Sequence, residues 1–221
     1  MYEVSHDIYM EQRLAMVAQQ LRARGIHDET VLNAMAHVPR HEFVPEGERA
    51  EAYGDHALPI GAGQTISQPF VVAAMLEALA LQAEYTVLEV GTGSGYQSAL
   101  LSQLVRTVYT IERIGALAQR AREVLQGLHY SNITVIEGDG SQGWPEAAPF
   151  DAIVVSAAAP AIPAPLFDQL RDGGRMVVPV GDGFAQQLQL VRKIGGKPVT
   201  SFLEAVRFVP LIGRNGFREA R

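Results

Sequence analysis

The 221-residue chain is predicted to fold as a doubly wound α/β domain around a mostly parallel sheet, with a helical N-terminal extension and an antiparallel C-terminal strand pair. Three observations carry the prediction. From about residue 85, short apolar runs (TVLEV at 86, TVYTIE at 107, ITVIEG at 133, AIVVSA at 152, RMVVPV at 175) alternate with helically patterned stretches over 95–104 and 116–128. Strands buried on both faces read this way, because crossover helices cover a parallel sheet on each side. The 8–38 stretch instead repeats near 3.6 residues, and the chain closes with QLQLVRKI, the turn-like GGKP at 195–198 and SFLEAVRFVPLI, the pattern of an antiparallel pair.

Taken in order, Ile8, Leu14, Val17 and Leu21 mark a first helix that Gly25 can stop. Asp28 can cap a second helix whose Val31, Leu32, Met35 and Val38 form a core-facing stripe, and Pro39 ends it. Residues 39–70, including VPRHEFVP and ALPIGAGQTISQP, are rich in Pro and Gly and read as long irregular connections, which are uncommon in compact domains and often functional. Within them GAGQTISQP, at 61–69, is too polar and glycine-rich for a strand, yet it stands directly before the apolar helical run VVAAMLEALAL at 71–81. No internal repeat or low-complexity tract divides the chain. One domain over 1–221 is expected, with 1–70 as helices and a covering loop, 71–183 as an α/β core and 184–221 as the strand pair and an acceptor-side segment.

Composition narrows the function. A net charge of −6, with 18 scattered basic residues, argues against affinity built on phosphate neutralisation, so no nucleic-acid partner is expected. The absence of Cys excludes disulfides, thiolate zinc sites and cysteine nucleophiles. His6, His27, His37, His41, His56 and His129 show no paired ligand spacing, since Pro39 separates His37 from His41, and no metal site is expected. The start MYEVSHDIYMEQR has acidic residues where a signal peptide is basic, and no apolar stretch approaches the roughly 20 residues that span a bilayer. A cytoplasmic protein without membrane attachment is expected, monomeric by default.

Ligands of doubly wound sheets bind at the carboxyl ends of the strands. The first such loop is VLEVGTGSGYQSALLSQL, where Gly91, Gly93 and Gly95 permit a sharp turn and close approach, and the following helix presents free amides. A dinucleotide fingerprint needs a third glycine one residue later, where Tyr96 stands, which weakens a nicotinamide reading. Glu112, 21 residues after Gly91, is placed to accept from two ribose hydroxyls. Glu89, inside the first core strand, suits a cationic amino-acid tail better than a pyrophosphate. Asp139, between glycines after the third strand, could accept from an adenine amine. Each acid alone reads equally as a solvated carboxylate or a helix cap; the three at successive strand ends fit S-adenosylmethionine.

The set GQTISQP, LEVGTGSGYQSALL, VYTIER, GDGSQGWPEAAPFDAIVVSAAAP, LRDGGRMVVPVG and VRFVPL, preceded by VPRHEFVP, closely resembles the protein-L-isoaspartate O-methyltransferase family over about 11–213. GQTISQP and RFVPL are far more specific than the glycine loop, which most class I methyltransferases share. The resemblance implies a Rossmann-like methyltransferase fold, S-adenosyl-L-methionine as cofactor, and methylation of the carboxylate of isoaspartyl residues in aged proteins and peptides. It implies Ser67 as the catalytic residue, Thr65, Ile66, Glu89, Gly91, Thr92, Gly93, Gly95, Glu112, Arg113, Asp139 and Gly140 at the cofactor, and Gln64, Ser67 and Arg207 at the substrate. One departure is Ser156 in VVSAAAP, where the family more often carries Thr; both have a hydroxyl.

The chemistry agrees with such a site. A carboxylate acceptor with a pKa near 4 is already ionised at neutral pH, so the task is to hold it in line with the methyl group and keep water out. Thr65 and Ser67 offer neutral donors for that task. On pattern alone Ser67 also reads as the cap of the helix that follows, and Arg207 as a solvated strand-face charge. Two rivals stay open. An amine methyltransferase of the nucleic-acid type commonly has Asn or Asp before Pro-Pro after the fourth strand, where this chain reads SAAAP, and a nicotinamide oxidoreductase would share the ribose acid.

Overall fold

The computed structural model describes residues 8–182 and 185–219. A seven-stranded sheet runs in the order β5 (Ile133–Glu137), β4 (Thr107–Glu112), β3 (Thr86–Val90), β6 (Phe150–Val155), β7 (Leu170–Gly181), β8 (Gln186–Ile194), β9 (Lys197–Val206). The first five are parallel, and β8 and β9 turn back as an antiparallel pair. Gly195 and Gly196 both take positive φ in the two-residue turn between them, as a tight hairpin of right-twisted strands requires. The winding direction reverses beside β3. The chain steps outward from β3 through α4 (Tyr96–Leu104) to β4 and through α5 (Gly115–Gly127) to β5, then returns to β6 on the other side. That reversal opens a crevice at the carboxyl ends of β3 and β6.

Side chains alternate across each strand, so the sheet has two apolar faces. Val87, Val108, Val154 and Val177 bury against the face covered by α4 and α3 (Pro69–Leu79), whereas Leu88, Val90, Ile153 and Met176 bury against the face covered by α6 (Ala164–Gln169) and Trp144. The N-terminal helices join the first face. In α1 (Ile8–Ala15) the chain is regular, then loosens and tightens through 16–24 before Gly25 stops it at φ 99°. Asp28 caps α2 (Glu29–His37), accepting from the amides of Thr30 and Val31, and the predicted stripe of Val31, Leu32, Met35 and Val38 is fully buried.

Three expectations need correction, and one element, α6, is an addition to them. The 58–66 stretch is a small antiparallel ribbon, β1 (Leu58–Gly61) paired with β2 (Gln64–Ile66), because Ala62 and Gly63 both take positive φ and turn the chain in two residues. Its polar, glycine-rich look comes from the turn and from one solvent-facing edge. β7 begins at Leu170, five residues before the apolar run. The short α6 precedes it, too brief to show a period. Finally, β9 stops at Val206, so Arg207 lies beyond the strand and is not a strand-face charge.

Candidate active site

Two hollows meet over the carboxyl ends of β3 and β6. The first is lined by β2 and the residues after it, the end of β3, the glycine loop, the end of β4 and the segment 209–212. The second is lined by Arg24, Asp55, His56, Phe70, Glu204 and Arg207, among others. Thr65, Ser67, Ser156 and Val209 border both.

The glycine loop is tied down residue by residue. Gly91 and Thr92 donate their amides to the Ile111 carbonyl at 2.8 and 3.3 Å, and the Thr92 hydroxyl shares a 2.6 Å hydrogen bond with that of Thr110. Gly95 starts α4 in the left-handed region at φ 89°, and a Cβ there would stand 3.4 Å from Ala121 and Leu125 of α5. The close helix packing that a dinucleotide fingerprint assigns to its third glycine is thus provided one position earlier, which leaves room for buried Tyr96.

Glu112, at the end of β4, accepts from the Gly93 amide through one oxygen and from the Ile114 amide through the other, each at 2.9 Å. It therefore fixes the glycine loop, it lines the first hollow, and each oxygen retains a second lone pair. Glu89 is fully buried. Its carboxylate accepts from the Ser98 hydroxyl on one side and from Gln97 Nε2, 3.1 Å away, on the other. Burial pushes its pKa up to about 7 despite those donors. A carboxylate held at that cost inside a cleft is suited to a cation.

The other cofactor candidates divide. Thr65, Ile66, Gly91, Thr92, Gly93, Arg113 and Gly140 line the first hollow with the two glutamates; Gly95 and Asp139 do not. Asp139 instead accepts from the Ser141 amide and hydroxyl, from Gln142 and from the Arg214 amide. Burial would raise its pKa, but these donors overcome that and hold it below the usual value. Its side chain fastens the 213–215 turn over the site. Gln64, expected at the substrate, lines the first hollow rather than the second, whereas Arg207 lines the second. Arg113 reaches outward to Glu219 at 3.1 Å.

Ser67 is not a helix cap. Gln68 occupies that position, no side chain caps the helix, and Pro69 opens α3. The hydroxyl of Ser67 is left to the junction between the hollows, while its carbonyl accepts from Arg40 Nη2 at 2.8 Å. Arg40, in VPRHEFVP, is fully buried; its Nε reaches the Ala52 carbonyl at 2.7 Å and its guanidinium lies over the Tyr96 ring. Burial lowers its pKa to about 10, so it stays cationic at neutral pH. Sequence reasoning passed over this residue, as it did Gln97 and Ser98. An arginine between two Val-Pro pairs, and polar residues in the first turn of an apolar helix, were the available signals.

The RFVPL segment crosses the strand ends because residue 158 pairs with it: the Ala158 amide donates to the Val209 carbonyl and the Leu211 amide to the Ala158 carbonyl, at 2.8 and 2.7 Å. His6 lies outside the described residues; among these, no group of three His, Asp or Glu side chains is arranged to hold a metal ion.

A doubly wound sheet with a glycine loop, a ribose-height acid and a buried acid at its switch point defines the class I methyltransferases, and the cleft suits their cationic adenosyl cofactor. Of the first hollow's described lining residues, Arg113 alone is cationic, against two glutamates. The chain belongs to the protein-L-isoaspartate(D-aspartate) O-methyltransferase family, whose sequence model matches residues 11–216. It is 52% identical over 212 residues to a protein-L-isoaspartate O-methyltransferase of Desulfotalea psychrophila, covering 96% of this chain and 99% of that one. It is 55% identical over 209 residues to its counterpart in Koribacter versatilis, covering 95% and 94%. Among solved structures, a protein-L-isoaspartate O-methyltransferase superposes with a TM-score of 0.84 at 28% identity, covering 94% of this chain and 67% of that chain. A Plasmodium falciparum protein assigned to the same family, solved in complex with S-adenosyl-L-homocysteine, superposes with a TM-score of 0.80 at 28% identity over 90% and 98% of the two chains.

Proposed function

We propose that this chain transfers a methyl group from S-adenosylmethionine to the free carboxylate of L-isoaspartyl residues in damaged peptides and proteins, the step that initiates their repair. The observation that carries this reading is the junction at Thr65, Ser67 and Ser156, where a hollow suited to an adenosyl cation opens onto one able to take a polypeptide. Glu89 would hold the cationic amino-acid end of the cofactor, Glu112 its ribose hydroxyls, and the glycine loop its closest approach. When bound, the cofactor supplies an electrophilic methyl: the acceptor's oxygen bonds to it as the carbon–sulfur bond breaks, leaving a neutral thioether and a methyl ester.

The residues of the chain position and desolvate. No general base is needed, because the acceptor arrives ionised. Ser67 donates to that carboxylate and draws it toward the junction, Thr65 and Ile66 close the cover, and Gln64 and Arg207 are the remaining acceptor-side candidates. We read 1–70 as cover, 71–183 as cofactor core and 184–221 as acceptor-side segment of one domain, working as a cytoplasmic monomer on protein rather than nucleic acid. The net charge of −6 supports the choice of acceptor. Among the described residues no helix is long and apolar enough to cross a membrane.

Incubation with labelled S-adenosylmethionine and two isomeric peptides, one with Asp and one with isoAsp, tests the reading. Label is expected in the second alone. Equal labelling excludes repair specificity, and binding of NAD without affinity for S-adenosylmethionine excludes the class.

A further inference from the structure

Ser156 stands immediately after β6, its amide donated to the Val90 carbonyl at 2.8 Å, so its backbone is pinned to the end of β3 at the switch point. It borders both hollows, as Ser67 does. Its hydroxyl has one partner among the described residues, Gln97, whose Nε2 lies 2.8 Å from Oγ. The same nitrogen is 3.1 Å from Glu89 Oε1.

With Glu89 ionised, the form that a bound cation selects, donor and acceptor counts set the roles in this chain of contacts. The Glu89 carboxylate, when ionised, can only accept, so the side of the Gln97 amide that faces it must be the nitrogen. That nitrogen carries two hydrogens, one for Glu89 and one for Ser156. Ser156 Oγ is therefore the acceptor toward Gln97, and its own hydrogen is not used by that contact. The hydroxyl borders the junction, with its proton free to be given to a ligand there.

We propose that Ser156 is a second hydroxyl donor to the acceptor carboxylate, complementing Ser67, and that Gln97 is the positioning residue that commits the Ser156 proton to the junction. The inference rests on the function proposed above and deepens it. Two donors on one carboxylate fix its rotation where one leaves it free to swing, and the second is tied through Gln97 to the acid proposed to bind the cofactor's cationic end. Occupation of the cofactor cleft and readiness of the acceptor site are thereby joined through one glutamine.

The test compares the wild type with Ser156→Ala, with Ser156→Thr and Ser156→Val, a pair matched in shape and differing in the hydroxyl, and with Gln97→Met. Each is measured for methyl transfer to an isoAsp peptide, for calorimetric affinity of that peptide once S-adenosylhomocysteine is saturating, for affinity of S-adenosylhomocysteine alone, and for thermal unfolding. Ser156→Ala and Ser156→Val should lose roughly tenfold in kcat/KM and in peptide affinity, the scale of one hydrogen bond to a charged group, while Ser156→Thr stays within about threefold of wild type. Affinity for S-adenosylhomocysteine alone should move less than about twofold in the Ser156 variants, since no hydrogen bond to it is removed. Gln97→Met should reproduce the peptide loss, and the double variant Gln97→Met/Ser156→Ala should be no worse than the weaker single, because both act through one hydroxyl. Wild-type peptide affinity and turnover in folded Ser156→Ala or Ser156→Val overturn the proposal. So do losses that multiply in the double variant, or a Gln97→Met protein impaired in S-adenosylhomocysteine binding alone. A wild type that binds S-adenosylhomocysteine yet labels no isoAsp peptide sinks the functional reading itself, a result distinct from all of these.

Discussion

The two hollows are built by opposite means. The cofactor side is made largely of strand ends and helix starts, its acids are buried and its anchoring groups have named partners: Glu112 holds two amides, Glu89 two side chains, Thr92 a threonine. The acceptor side is edged by half-exposed charges such as the Arg24–Asp55 pair at 2.7 Å, with Arg24 over the Phe70 ring. Buried, fully bonded groups discriminate one ligand sharply, whereas solvated rim charges contribute little each. The contrast fits the function proposed above, in which one cofactor and one carboxylate are recognised on a polypeptide.

The largest expected effect falls where both sides lean on one residue. Arg40→Met should cost about 2–4 kcal/mol in denaturant unfolding, because it strands the Ala52 and Ser67 carbonyls that the guanidinium satisfies. Arg40→Lys should recover only part, since an ammonium cannot reproduce the planar fork. An unchanged midpoint would show that the cover holds without it.

Glu112→Ala should weaken S-adenosylmethionine binding by about 1.5–3 kcal/mol, the range for hydrogen bonds to a charged group, while the peptide KM at saturating cofactor barely moves. A matching rise in peptide KM would mean the hollows are not separable.

A pH series sharpens the electrostatic half. Glu89 has its folded pKa raised to about 7 from an ordinary 4.5, so its protonation favours the free folded state below 4.5, and that contribution is lost as pH rises through 7. A cation binds the ionised form. Affinity for S-adenosylmethionine should therefore fall by up to about tenfold per pH unit on descending below 7, and Glu89→Gln should flatten the curve. A flat wild-type titration between pH 5.5 and 8, read by calorimetry at about 0.5-unit steps, would remove Glu89 from the cofactor's cationic end.

Smallest is the rim. Arg207→Ala should change kcat/KM by no more than about fivefold, the reach of one partly solvated charge, and cofactor affinity not at all. A larger loss would mark Arg207 as a specific anchor rather than one of several rim charges.

Much of this was legible in the sequence, for reasons that differ by region. Four of the five apolar runs are strands largely buried on both faces, the fifth, β5, is the half-buried edge strand of the same sheet, and Asp28, Gly25 and the glycine loop sit where cap and turn chemistry place them. The ribbon at 58–66 was not legible. Its turn uses Ala62 at positive φ, a residue that carries no turn signal, so the flanking Leu58, Ile60 and Ile66, all buried, did not register as an alternating strand pattern. Asp139 shows the opposite failure. Its place at a strand end suggested a ligand, but only the fold reveals that Arg214, 75 residues on, donates its amide to that carboxylate. Long-range polar partners of this kind leave no local trace, which is also why Arg40 and the Gln97–Ser156 contact were invisible.

The central claim is that methyl transfer occurs where the hollows meet and that Ser67 orients the acceptor there. Kinetics, S-adenosylhomocysteine affinity and thermal unfolding measured on one preparation of Ser67→Ala test it most directly. Turnover on an isoAsp peptide should fall roughly 10- to 100-fold, with cofactor affinity and melting temperature close to wild type, since one charge-assisted hydrogen bond to the substrate is lost and no helix cap is removed. A fully active protein, destabilised by about 1 kcal/mol as loss of a cap would produce, would contradict it.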